Sequence, residues 1–513
     1  MRYGFVIDQR KCIGCHACTV ACKEENQVPL GAFRTWVKAV ERGRYPHTRR
    51  FFAVLRCNHC DAAPCVTICP TVALHRRPDG IVDLDGARCI GCKACLQACP
   101  YDALYIDPAT RTAAKCHYCA HRVELGLAPA CVVVCPEQAI VAGDLDDPTS
   151  EIARLVATQP VQVRKPEQGT RPKVFYLGAD AAALTPALQA PVAHYAWAER
   201  PAEELSLVGL LASLPPSAAG EAALARPVYD APHARRPWGW QVGTYLWTKS
   251  IAAGALLVAA AGVLLGRAGG ALAALGAPAL ALAFLAVTVA LLVADLKRPA
   301  RFYFLLLRPN PRSWLVLGAW VLIAYGGLAA GWLVAGLGGA GPALGALAVP
   351  TLLAAAAAAG YSACLFAQAE GRDFWQSPLL LPHLLAAAVV AGAAALLLVE
   401  AAGRGDAGVL ADLGAALAAG LVALGGLLAA ELGARPASVD AARAARLLTD
   451  GAWRARFWGG VVMGGVLAPL GLLALGLGGL GPAPTVVAAA LALAGLWLWE
   501  DLWVRAGQAI PLS

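Results

Sequence analysis

Methionine and histidine are scarce in this 513-residue chain: there are two methionines and nine histidines. Charged residues make up 15% against 58% hydrophobic, where soluble domains carry about 25% charge. Beyond His233 the one histidine is His383, and Met463 is the one methionine besides Met1. A bis-histidine haem is therefore excluded from the second half, a His–Met pair would need His383 with Met463, and no haem is expected. No G-x-G-x-x-G follows a strand and no Walker loop occurs, so the usual phosphate cradles are missing. Met1 to Asp8 lack the basic, apolar and cleavage regions of a secretory signal, which predicts maturation in the cytoplasm. The net charge of +8 is concentrated near membrane-flanking loops and needs no nucleic acid.

Charge is missing unevenly. Residues 1 to about 240 hold sixteen of the seventeen cysteines and most of the charge. From 241 on the chain is rich in Ala, Leu, Gly and Val. Eight apolar stretches lie near 243–266, 272–294, 314–338, 343–367, 378–399, 408–430, 458–479 and 484–504. Each reaches the roughly 20 residues needed to cross a bilayer as a helix. A cysteine-rich redox domain joined to an eight-helix membrane bundle is the expected architecture.

The cysteines fall into four quartets: Cys12, Cys15, Cys18, Cys22; Cys57, Cys60, Cys65, Cys69; Cys89, Cys92, Cys95, Cys99; and Cys116, Cys119, Cys131, Cys135. Two quartets read C-x2-C-x2-C-x3-C, and three end in Cys-Pro at Pro70, Pro100 and Pro136. Three thiolates within seven residues can wrap one iron cube. The fourth, turned away before a proline, serves a neighbouring one. Sixteen ligands then make four [4Fe–4S] clusters held in pairs. Zinc is the competing reading, but a tetrahedral site has no use for the third cysteine of each run. Disulfides suit such crowded thiols still less.

Short β-patterned runs frame the quartets at 3–8, Phe51–Arg56, Ile81–Asp85, Ala103–Asp107 and Ala139–Asp144. Cys69, Cys99 and Cys135 each open a repeated C-P-x-x-A-[LI]. This is the rhythm of tandem ferredoxin modules, an α+β iron–sulfur fold. Residues 23–50, with Arg34, Lys38, Arg42, Arg44, Arg49 and Arg50, read as a basic loop.

With Cys57-Asn58-His59-Cys60-Asp61-Ala62-Ala63-Pro64-Cys65 and its neighbours, residues 1–178 resemble the four-cluster iron–sulfur subunit of the dimethyl sulfoxide, polysulfide and formate oxidoreductase family. The resemblance implies four ligand sets. Cys12, Cys15 and Cys18 join Cys135; Cys116, Cys119 and Cys131 join Cys22; Cys57, Cys60 and Cys65 join Cys99; and Cys89, Cys92 and Cys95 join Cys69. It also implies a separate molybdopterin catalytic subunit as partner. Residues 179–240 read as an Ala/Pro-rich linker, ending in Arg235, Arg236, Trp238 and Trp240. Residues 241–513 resemble the NrfD-like polysulfide-reductase membrane anchor family. The carrying residues are Trp240-Gln-Val-Gly-Thr-Tyr245, Gly254, Asp295-Leu-Lys-Arg-Pro299 and Asn310-Pro-Arg-Ser-Trp314.

An even number of spans puts both ends on one side. Arg235, Arg236, Lys297, Arg298, Arg301, Arg308, Arg312, Arg372, Arg435, Arg443, Arg446, Arg454, Arg456 and Arg505 flank that side, against Arg267 and Arg404 opposite. The positive-inside rule then puts the iron–sulfur domain in the cytoplasm of an inner-membrane protein. The family resemblance allows the exoplasmic side, by way of a partner with a twin-arginine signal. Trp314, Trp375, Trp453, Trp458, Trp499 and Trp503 read as interfacial anchors, and Cys364 as a packing residue.

Polar residues of the spans gather toward the iron–sulfur side: Tyr245, Lys249, Asp295, Gln368, Glu370, His383, Glu431, Glu500 and Asp501. Tyr245, Lys249, Asp295 and His383 are the candidate quinone or proton residues. Lys249, about 10 Å into its helix, has snorkelling as the alternative. Asp295 has ion pairing with Lys297, Arg298 or Arg301, and His383 a structural role. The expected function is electron transfer through four clusters between a catalytic subunit and the membrane quinone pool, menaquinone or ubiquinone. Two alternatives stand beside it. One is a proton-translocating module with Glu400 and Asp412 toward its exit. The other is a plain anchor, as in a multihaem cytochrome complex that oxidises quinol.

Overall fold

The computed structural model describes residues 1–44, 46–190, 225–231, 237–267, 270–339, 341–403, 405–476 and 481–513. Arg235, Arg236 and Arg404 of the charge argument, and residues 191–224 of the expected linker, lie outside the described residues.

The first strand, β1 (Tyr3–Asp8), is apolar on both faces, with Phe5, Val6 and Ile7 at most 1% exposed. It therefore takes an inner place in a four-stranded sheet of order β8 (Ile140–Asp144), β1, β10 (Val174–Leu177), β9 (Val161–Gln162). β1 runs antiparallel to β8 and parallel to β10, so one sheet ties the beginning of the redox domain to residues 174–177.

Residues 23–50 correct the expectation of a basic loop. Strands β2 (Thr35–Arg44) and β3 (His47–Arg56) form a hairpin in register from Thr35↔Arg56 to Arg44↔His47. Trp36, Val37, Val54 and Leu55 bury its root, and Arg49 and Arg50 lie at its exposed end. Alternation at the root was hidden by the charges at the tip. β11 (Arg226–Tyr229) adds a third strand beside β2. The next residue, Asp230, pairs with buried Lys38 at 3.1 Å. The described ends of the expected linker are thus part of the redox domain, including the helical turn Ala181–Leu184. Two three-residue hairpins, β4 (Leu74–Arg76) with β5 (Val82–Leu84) and β6 (Leu104–Ile106) with β7 (Ala113–Lys115), follow two of the C-P-x-x-A-L repeats.

Among the described residues eight helices are long and apolar enough to cross a membrane, as expected: α1 (Trp240–Leu264), α2 (Leu272–Ala294), α3 (Trp314–Leu337), α4 (Gly341–Ala367), α5 (Leu380–Ala402), α6 (Ala407–Gly433), α7 (Arg456–Leu475) and α8 (Pro482–Ala509). α1 and α5 are the most enclosed. Glycines let them touch: a Cβ at Gly254 would fall on the Ala388 carbonyl, and one at Gly392 on the Gly254 backbone. α7 and α8 approach in the same way at Gly465 and Gly495. After α8 the chain returns to the redox domain. Arg164 Nη2 donates to the Leu512 carbonyl at 3.0 Å, and the Leu512 N–H donates to Asp102 at 3.2 Å.

The tryptophan expectation needs correction. Trp375, Trp453, Trp499 and Trp503 are at most 8% exposed, whereas Trp458 is 47% exposed. Trp375 and Trp503 pack on each other, and Trp499 packs on His383 and Phe457.

Substituting Gly392 by valine should overpack the α1–α5 crossing, costing about 1–3 kcal/mol or more and lowering the thermal midpoint in detergent. Gly426→Val, where a Cβ meets nothing within 4 Å, should leave it unchanged.

Candidate functional site

The cysteine loops are shaped before any side chain is considered. In Cys12-Ile-Gly-Cys-His-Ala-Cys18 the backbone is left-handed at Gly14 (φ 71°) and His16 (φ 61°). In Cys89-Ile-Gly-Cys-Lys-Ala-Cys95 it is so at Gly91 (φ 69°) and Lys93 (φ 64°). His59, Tyr118 and Cys119 share this conformation in the other two quartets. Such turns direct successive N–H groups inward and make a nest for an anion. Backbone N–H groups of Leu74, Ala113, Tyr118 and Ala139 donate to Sγ of Cys69, Cys89, Cys116 and Cys135 at 3.3–3.4 Å. The repeated C-P-x-x-A-[LI] supplies the first and last of these donors, because proline turns the chain back over its own cysteine.

Cysteines distant in sequence meet in space. Cys12, Cys15, Cys18 and Cys135 line one void. Cys22, Cys116, Cys119 and Cys131 line a second, and Cys57, Cys60, Cys65 and Cys99 a third. Cys69, Cys89, Cys92 and Cys95 are close enough to interact electrostatically. Among the described residues no three His, Cys, Asp or Glu side chains converge on a single-ion position. Sulfurs arranged around a void suit a cube of iron and sulfide better than one zinc. Burial pushes the thiols up, Cys18 and Cys99 to about 11 and Cys116 to about 12. These cysteines would give up their protons as ligands, and a bound cluster would supply the positive charge that favours their thiolates.

The quartets form a row. Cys18 interacts with Cys131, Cys116 with Cys57, and Cys65 with Cys95. One end of the row is at the surface, where Cys15 is exposed. The other end is seated on the bundle through the ligand loops themselves. Asn310 Nδ2 donates to the Cys69 carbonyl at 2.8 Å, Arg301 Nη1 to Cys89 at 2.9 Å, and Trp238 Nε1 to Cys92 at 3.1 Å. The N–H groups of Lys297 and Arg298 bond to Gly91 and Ile90.

Asp295 closes this seat and corrects the expected pairing with Lys297, Arg298 or Arg301. It bonds Lys93 of the third quartet's loop at 2.7 Å, with the two side chains 13% and 5% exposed. Behind Trp238 lies an aromatic cluster. Trp238 stacks on Trp375 with centroids 5.5 Å apart, and Phe366 and Trp503 pack against Trp375.

Within the bundle Lys249 is 1% exposed, so it does not snorkel. Its Nζ donates to the Ala359 carbonyl at 2.7 Å and to Ser362 Oγ at 2.8 Å, and lies over the Tyr361 ring. Tyr245 is buried beside Tyr361 and Ser362. On the next residue of α1, Ser250 donates to Glu500 of α8 at 3.4 Å. His383 forms a separate group. Its Nε2 accepts from Trp499 Nε1 at 2.7 Å. Since indole only donates, the neutral ring carries its proton on Nδ1, which faces Glu431 at 4.0 Å. Glu400 accepts the Asp406 N–H, and Asp412 pairs with exposed Arg267. Both contacts lie at the far face of the bundle.

Tyr245, Lys249 and Asp295 are brought to one side of the bundle core and His383 to its neighbourhood, but the four do not share one contact. Sequence reasoning missed Arg56, Lys93, Ser362 and the Gln97–Gln508 amide pair, which spans the two domains at 2.6 Å, and it named Trp238 only at the end of the linker, where the structure buries it against Cys92. A lysine inside C-I-G-C-K-A-C was a readable signal for Lys93. Nothing in the chain order links Gln97 to Gln508.

Comparison with known proteins gives the family of each part of the chain. Residues 231–511 match the family model described as polysulphide reductase, NrfD. Residues 48–145 match a 4Fe-4S dicluster domain and residues 10–25 a 4Fe-4S binding domain. A tetrathionate reductase subunit of Salmonella typhimurium is 50% identical over 189 residues, covering 36% of this chain and 76% of the relative. Protein NrfC of Escherichia coli is 44% identical over 178 residues, covering 34% and 80%. A polysulfide reductase component of Wolinella succinogenes is 41% identical over 177 residues, covering 34% and 93%. The chain therefore belongs to the NrfD polysulphide-reductase family, with a 4Fe-4S electron-transfer domain like those of the reductase relatives fused ahead of the membrane domain.

Proposed function

We propose that this protein is the electron-transfer and quinone-reactive membrane subunit of a respiratory molybdopterin oxidoreductase. The observation that carries this reading is the row of cysteine quartets, exposed at one end and seated on polar residues of the bundle at the other. The sixteen cysteines would hold four [4Fe–4S] clusters in the sets Cys12/15/18/135, Cys22/116/119/131, Cys57/60/65/99 and Cys69/89/92/95. Bound there, the clusters supply one-electron carriers along the length of the domain.

The catalytic subunit is assigned to the exposed end. Ile13, Val20 and Val133 are 56–65% exposed around the first quartet, and such apolar surface suits a partner. At the other end the aromatic cluster excludes water from the ligand loops. A quinone would use the adjacent bundle core, where Lys249, Tyr245, Ser362 and Glu500 offer hydrogen bonds and a proton route. Trp499 orients His383 and leaves its Nδ1 proton toward Glu431, an arrangement suited to relaying a proton.

We assign the iron–sulfur domain to the cytoplasmic side. Arg298, Arg301, Arg372 and Arg443 are used in docking contacts. Arg308, Arg312, Arg435, Arg454 and Arg456 remain exposed on that face and carry the charge bias.

Changing Cys69 to serine should lower the iron content by about a quarter and abolish quinol-driven reduction of the remaining clusters, while dithionite still reduces them. Retention of quinol-driven reduction would remove the bundle-seated quartet from the path. Lys249→Ala and His383→Ala should each slow quinol-linked cluster reduction about 100-fold or more, with dithionite reduction and iron content unchanged. Wild-type rates in both would favour a plain anchor. Added protease should cleave the iron–sulfur domain in inside-out vesicles and spare it in right-side-out ones; the opposite pattern reverses the orientation.

A further inference from the structure

Arg56 ends β3, directly before Cys57, and is 1% exposed. Its Nη1 donates to Cys131 Sγ at 3.1 Å, and its guanidinium carbon lies 4.4 Å from the centre of the Phe5 ring. Nε and Nη2 have no hydrogen-bond partner. Among the described residues no carboxylate pairs with it. The groups facing it that become negative as thiolates are the sulfurs of Cys131, Cys116 and Cys18. Cys116 and Cys131 line the void shared with Cys22 and Cys119, and Cys18 lines the next one. Arg34 borders the same void, but its Nε is directed to the Tyr105 hydroxyl at 3.4 Å.

A buried cation without an anion is strongly destabilising, and arginine cannot shed its proton to escape the cost. The charge that answers it here is therefore the one the thiolates acquire on binding iron. An iron–sulfur cube with four thiolates is anionic and gains one further negative charge when it takes an electron. A fixed cation in a low-dielectric site favours that reduced form.

We propose that Arg56 sets the reduction potential of the cluster held by Cys22, Cys116, Cys119 and Cys131, raising it so that this second position in the row holds an electron more tightly. The inference rests on the four-cluster reading above. Its consequence is a potential profile with a step behind the surface-exposed quartet, not an even slope.

The test is a redox titration of the full chain in detergent, followed by electron paramagnetic resonance. In Arg56→Gln the reduction equilibrium of one cluster should fall about tenfold, a downward shift of about 59 mV for a one-electron couple. Arg56→Lys, which keeps the charge, should recover most of the difference. Unchanged potentials in Arg56→Gln, or an equal shift in Arg56→Lys, overturn the proposal. If Arg56→Gln loses iron, the unmodified chain decides. With 15N-labelled arginine, pulsed electron paramagnetic resonance of the reduced protein should detect a guanidinium nitrogen coupled to a cluster, absent in Arg56→Lys. No such coupling overturns the proposal. Iron analysis of the unmodified chain separates the two levels: too little iron for four clusters refutes the cluster reading itself.

Discussion

An anionic metal cube can be buried only where hydrogen-bond donors and positive charge surround it, and the N-terminal domain is arranged around that constraint. Two of its sheets are hairpins of three-residue strands, too short to stand alone. Beside the apolar strands β1, β2, β3 and β10, the interior is made of the ligand loops, with their left-handed turns and inward N–H groups. Cations are buried beside them. Arg56 bonds Cys131, Lys115 donates to the Cys116 carbonyl at 2.8 Å, and Lys93 lies within the third quartet's loop. Such groups are expensive in an ordinary core; Lys93 is balanced by Asp295, and Arg56 is acceptable where thiolates would supply the charge.

The contact between the domains uses the same loops. Carbonyls of Cys69, Cys89 and Cys92 accept from Asn310, Arg301 and Trp238, so the electrical end of the row is also its mechanical anchor. The redox domain cannot shift on the bundle without disturbing the backbone that holds these cysteines. The return of the C-terminus to Arg164 and Asp102 ties the last membrane helix to the same body. Fusing the two functions in one chain fits an interface in which Gln97 and Gln508 bond across the boundary.

The membrane domain places its costs differently. Most of its polar groups stay near the redox side, and close glycine crossings such as Gly254 with Gly392 hold the central helices together. Lys249 is satisfied by a carbonyl and a hydroxyl, whereas His383 Nδ1, Glu431 Oε1 and Glu500 Oε2 lack hydrogen-bond partners. A buried polar atom without a partner suits a group that meets a substrate or a proton.

The quartets, the ferredoxin-like character, the eight spans and the resemblance to both families were legible in the order of the residues alone. Each of these is local: a ligand loop is seven residues long, and a span needs only unbroken apolarity. The sequence also pointed to Lys249 and His383, because an ionisable residue in an apolar run stands out. The tertiary structure decided what depends on residues far apart in the chain. It turned the basic loop into a hairpin, buried most of the expected anchor tryptophans, and gave Asp295 a partner 202 residues away. It also set Arg56 between two quartets. Pairings over such separations leave no periodicity or spacing to read, because they arise only once the domains have packed together.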